Sequence, residues 1–116
     1  MTTVDLKTRR AQRAALLETE LNRLVDELKG LGAQLIVLFG SYARGRRDLF
    51  TDLDLLVVME SDLPFVERLA SLYTRLQPKV AADILVYTPE EFEQLKDRRR
   101  FLRHALATGK VLHAAR

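Results

Sequence analysis

The chain has 116 residues, of which 47% are hydrophobic, 30% charged and none cysteine. That length suits one small domain, residues 1–116, and the missing cysteine excludes disulfides and thiolate metal sites. A formal net charge of +3 and a sequence pI of about 9.5 permit contact with a nucleotide or, indirectly, nucleic acid, without requiring it. No apolar run approaches the roughly 20 residues of a membrane helix. Met1 to Arg13 lacks the apolar stretch of a signal peptide. A cytoplasmic protein with no membrane contact is expected.

Residues 1–7 are expected to fray. From about Thr8 to Lys29 the chain reads as an amphipathic helix, because Leu17, Leu21, Leu24 and Leu28 step along one face. Gly30 stands where a C-terminal glycine cap is expected. Gln34 to Phe39 is apolar without alternation, the mark of a strand covered on both faces. Gly40-Ser41 breaks it, and Tyr42 to Gly45 reads as one short helical turn. Arg46, Arg47, Asp48 and Thr51 make a polar loop, with Leu49 and Phe50 expected against the core. Leu53 to Met59 is a second strand. A helix should follow from Ser61-Asp62-Leu63-Pro64, carrying Phe65, Val66, Leu69, Leu72, Tyr73 and Leu76 at helical spacing. Val80 to Tyr87 is a third strand, with Asp83, Leu85 and Tyr87 on one face and Ala82, Ile84 and Val86 on the other. Thr88-Pro89-Glu90-Glu91 is a capping box. It opens one last helix through Phe92, Leu95, Leu102 and Leu106, ending near Gly109. Lys110 to His113 is a short tail able to add edge structure. This order predicts an α/β (α+β) fold, a small mixed sheet with helices packed on it.

Three carboxylates carry the chemistry. Asp52 and Asp54 leave the same face of an extended backbone, roughly 6–7 Å apart at Cα. Such a pair repels unless a cation binds, and magnesium takes one or two carboxylates with substrate phosphates. A lone Asp-x-Asp is more often a turn and a solvated side chain. Here it follows Gly40, which permits close backbone approach, and Ser41, which offers a hydroxyl and an N–H to phosphate. Arg44, Arg46 and Arg47 lie between, as phosphate ligands or as a solvated loop. Asp83 sits in the apolar third strand, where a buried aspartate needs a partner. Beside the second strand it completes an acidic triad for in-line phosphoryl transfer. Alternatively it faces solvent or a loop. Arg98, Arg99, Arg100 and Arg103 read as a solvated helix face, with a nucleic-acid or partner-binding patch as the sharper alternative.

Gly40-Ser41, ten intervening residues, then Asp52-Leu53-Asp54 resembles the signature of the minimal nucleotidyltransferases, a branch of the DNA polymerase beta superfamily. Gly40-Ser41-Tyr42-Ala43-Arg44-Gly45, Thr51 to Leu55, Asp83 in AADILVY and the tail RHALATGKVLH extend the likeness over about Leu17 to His113. Thr51 stands where the family often has serine and keeps the hydroxyl. The resemblance implies transfer of a nucleoside monophosphate, most often AMP from ATP, to an acceptor hydroxyl with Mg2+. Gly40, Ser41 and the arginines would meet the triphosphate. Asp52, Asp54 and Asp83 would hold metal and form the catalytic triad. It further implies an antitoxin paired with a HEPN ribonuclease that it adenylylates on a protein hydroxyl. The alternatives are a binding module neutralising such a toxin by contact, and a small-molecule transferase. With no acceptor-binding domain in view, the acceptor is expected from outside. A homo-oligomer is compatible with these features.

Overall fold

Leucines at heptad-like spacing create the longest element. A computed structural model of the chain describes residues 3–115, and in it α1 runs Thr3–Gly30. Leu17, Leu24 and Leu28 are fully buried and Leu21 nearly so, each contributing about 1.5–3 kcal/mol by leaving water. The helix starts earlier than expected: Thr3 to Lys7 are helical rather than frayed, while Met1 and Thr2 lie outside the described residues. It also includes Gly30, and the left-handed turn falls at Gly32, with φ +100°. From there Ala33 N–H donates back to the Leu28 carbonyl.

β1 (Leu35–Phe39) is covered on both sides, which explains its unbroken apolar run. Ile36 and Leu38 join the main core with α1, while Val37 packs on the opposite side with Leu56, Leu102 and Ala105. A one-turn helix, α2 (Gly40–Ala43), and a loop lead to β2 (Leu53–Val58). α3 (Phe65–Leu76) begins immediately after Pro64 and connects to β3 (Ala82–Tyr87). α4 (Pro89–Leu95), α5 (Arg100–Thr108) and β4 (Lys110–Ala114) complete the chain. The four strands form a mixed sheet in the order β3-β2-β1-β4. β1 runs antiparallel to β2 and β4, and β2 runs parallel to β3. The α/β fold and mixed sheet are as expected. β3 also keeps the expected faces: Ile84 and Val86 lie in the main core, Leu85 and Tyr87 on the other side.

Three local expectations are corrected. The last helix is two helices. Lys96 to Arg100 is a run of five charges with nothing to bury, and the break lets α5 place Leu102 and Ala105 against the sheet, while α4 packs Phe92 and Leu95 there only partly buried. Leu49 and Phe50 are exposed, Phe50 by 80%, and Thr51 is buried instead. Asp48 causes this. Its Oδ1 accepts from Phe50 N–H and Thr51 Oγ1, and its own N–H donates to Thr51 Oγ1, so Thr51 turns in and Phe50 turns out. On α3, Val66 is exposed and Arg68 is buried. No helix among the described residues is long and apolar enough to cross a membrane.

Candidate active site

The site forms where β1 ends against the start of β2. Phe39 pairs with Asp54 across the antiparallel ladder, so the next residue of the turn lies against the Asp54 side chain. That residue is Gly40, at φ +75°. A Cβ there would stand 2.1 Å from Asp54 Oδ2. Glycine is thus required twice, by backbone conformation and by contact. Ser41 follows, half-buried, as the second residue of α2. Tyr42 is packed in the core.

The three loop arginines divide. Arg44 is exposed, and its charge favours the ionised form of Asp54. Arg46 forms an ion pair with Asp48 at 2.6 Å. Arg47 lies over the Tyr42 ring, 3.4 Å from its centroid, and donates to the Tyr42 carbonyl at 2.7 Å. Arg46 and Arg47 are therefore engaged in holding the loop.

The carboxylates converge unequally. Asp52 precedes β2 and Asp54 is its second residue; both are half-buried, flanked by the fully buried Leu53 and Leu55. Asp83 is directly in register with Asp54 on the neighbouring parallel strand. It is the second residue of β3 and exposed, not buried in mid-strand. The Asp54 carboxyl is pushed up to about 6, first by burial, then by the charges of Asp83 and Asp52 and a hydrogen bond with Asp83. None of the three forms an ion pair among the described residues. Beside them opens a groove of about 470 Å³ whose walls include Phe39, Tyr73, Leu85 and Phe101. Phe39 and Phe101 meet edge to face at 5.2 Å.

Among the described residues no three acidic or histidine side chains close into a ready-made metal cage. The donor set nevertheless suits a hard divalent cation. It offers carboxylate oxygens alone, carries excess negative charge and is partly withdrawn from water. Magnesium commonly completes such a shell with phosphate oxygens and water rather than with further side chains.

The sequence profile of the family described as "Nucleotidyltransferase domain" matches residues 19–113. The chain belongs to that family. A solved structure, the crystal structure of a mutant of the toxin–antitoxin MntA-HpeT, matches with a TM-score of 0.52 and 23% identity, covering 79% of this chain and 71% of that one. At that identity the likeness is one of fold. No curated protein matches the chain. The nucleotidyltransferase assignment and the mixed α/β fold agree with the resemblance read from Gly40 to Leu55.

In this nucleotidyltransferase domain, sequence reading overlooked two contributors. Tyr73, expected as part of the helical spacing after Pro64, directs its hydroxyl to β3 on either side of Asp83. Phe101, hidden among arginines, lines the groove beside Asp54 and Asp83. The Asp48-x-x-Thr51 spacing was a legible signal for the loop closure. Nothing local pointed to Tyr73 or Phe101, since both act across the fold.

Proposed function

We propose that this nucleotidyltransferase transfers AMP from ATP, with magnesium, to a hydroxyl on a protein partner. We further propose that it is the antitoxin of a pair whose toxin is a HEPN ribonuclease. One observation carries the reading. Asp54 lies in register with Asp83, its carboxyl pushed up to about 6, and neither forms an ion pair among the described residues. A like-charged, half-buried cluster of this kind is a candidate cation and reaction site. Asp52, Asp54 and Asp83 would hold magnesium, which supplies charge neutralisation at the phosphates. Gly40 and Ser41 bring the backbone turn against Asp54 and would meet the triphosphate. Arg44 is the arginine best placed to assist, while Arg46 and Arg47 are already engaged. Asp83, exposed at the strand start, is accessible to a protein-borne hydroxyl and would accept its proton as the oxygen attacks the α-phosphorus and pyrophosphate leaves. The protein partner is supported by the fold neighbour, whose own description is a toxin–antitoxin pair.

A second reading, neutralisation by contact alone, is favoured by Phe50, 80% exposed on the loop that follows α2. The two separate in one experiment. The protein is mixed with the product of the adjacent gene, magnesium and α-labelled ATP. Label on the partner, lost with Asp52→Ala or Asp54→Ala, supports transfer. Neutralisation that survives both substitutions with no label supports binding alone.

A further inference from the structure

β3 is an outer strand of the sheet. Leu53 N–H donates to the Ala81 carbonyl and Met59 N–H to the Tyr87 carbonyl, so the odd-numbered residues of β3 turn their backbone groups toward β2. Strand alternation then turns those of Ala82, Ile84 and Val86 outward, where an edge strand lacks a ladder partner. Side chains of α3 supply the partners. The Tyr73 hydroxyl donates to the Ala82 carbonyl at 2.5 Å and accepts from Ile84 N–H at 2.8 Å. Further along, Arg68 donates to the Val86 carbonyl at 2.8 Å.

The two staples differ in what they hold. Arg68 serves the end of β3 remote from the carboxylates and is itself tied to Glu91. Tyr73 bridges only the two peptide groups that flank Asp83, and it lines the same groove as Asp54 and Asp83. A phenylalanine would fill the same space on α3; the hydroxyl is needed only by the strand.

We propose that Tyr73 is a positioning residue for the transfer reaction: its hydroxyl clamps Ala82 and Ile84, fixes the backbone of Asp83 between them, and so holds the Asp83 carboxylate beside Asp54. The proposal rests on the reading of those carboxylates as the transferase site. Residues that orient metal-site carboxylates through one intermediate typically change metal affinity or activity about 10- to 100-fold when lost.

The test uses the full chain as Tyr73→Phe, with Val86→Ala as a control that thins the core under the same strand and leaves the clamp in place. Amide exchange comes first. Ile84 N–H in the unmodified protein is expected to exchange slowly, and at least about tenfold faster in Tyr73→Phe. Titration with Mn2+ alone should show affinity about tenfold weaker in Tyr73→Phe and unchanged in Val86→Ala. With ATP, kcat should fall about 10- to 100-fold in Tyr73→Phe while KM for ATP stays within about twofold. Rapid Ile84 exchange in the unmodified protein overturns the clamp without any variant. Unchanged Mn2+ affinity and kcat in a folded Tyr73→Phe overturn its positioning role. If the unmodified protein neither binds Mn2+ nor transfers AMP, the transferase reading and the positioning role fail together, and slow Ile84 exchange would then mark a structural clamp only.

Discussion

Glu20 and Asp54 are both carboxylates drawn into the body of the protein, yet they meet opposite company. Glu20, 2% exposed, accepts from Arg23 Nε at 2.7 Å and Nη2 at 2.8 Å, and from Lys79 N–H. Arg23 goes on to the carbonyl of Leu76, so the group ties α1 to the end of α3 and the approach to β3. The Arg23 hydrogen bonds hold the Glu20 carboxyl below its usual range despite burial. Glu91 repeats the pattern with Arg68 and the Thr88 N–H. Asp54 instead faces Asp83 and Asp52 and is pushed up to about 6. Glu20 and Glu91 are each paired with an arginine, whereas the cluster beside Gly40-Ser41 forms no ion pair among the described residues. The contrast separates carboxylates that hold the fold from a like-charged cluster that we propose as the ligand site.

The largest effect expected is that of Asp54→Asn, which should lower transfer by about 10³-fold or more. The same change should stabilise the fold. The folded Asp54 carboxyl lies near 6, above its ordinary 3.8, so the folded state holds the extra proton between those values. The Asp54 contribution to stability therefore declines as pH rises from about 4 through 6 and is flat beyond. Removing the charge should gain about 1–2 kcal/mol at pH 8 after allowance for solvent screening, and nothing at pH 3, as measured by urea unfolding. Gly40→Ala should come next. Its Cβ would collide with Asp54, and a displacement of about 1 Å is enough to lower transfer about 10²-fold, with about 1–3 kcal/mol lost in stability. Arg68→Met probes the opposite class of charge. It should lower stability by about 2 kcal/mol, since Glu91 is partly exposed, and leave kcat unchanged. Glu20→Gln should lower stability at neutral pH and have no effect in strong acid. Its folded carboxyl is lowered, so its contribution is present above about 4.5 and is lost as pH falls through the folded value. The smallest effect belongs to Thr88→Ala. It removes the capping box of α4, at about 1 kcal/mol, with transfer untouched.

Much of this was legible in the residues themselves. The leucine stripe of α1, the strand after it and the Thr88 capping box follow from local periodicity and local chemistry. Gly40, Ser41, Asp52 and Asp54 were legible because they lie within one short segment. The pairing of Asp83 with Asp54 could be expected only as one of several strand orders, since register is a property of the whole sheet. The break between α4 and α5 was hidden because the charged run keeps helix-forming residues, and only the demand of the sheet for Leu102 re-aims the chain. Phe50 was misplaced because hydrophobicity pointed inward while the Asp48–Thr51 closure turned it out. The division among Arg44, Arg46 and Arg47 depended on Asp48 and Tyr42, which sequence alone could not assign to them.

Asp54 is proposed to belong to an acidic cluster that a metal–nucleotide complex completes. Carbon-13 detection of the Asp54 carboxyl through a pH titration tests it directly. A midpoint near 6 is expected in the free protein, falling below about 4 when magnesium and a non-hydrolysable ATP analogue are added, because a cation favours the charged form. A midpoint near 4 in the free protein, indifferent to magnesium and nucleotide, would contradict it.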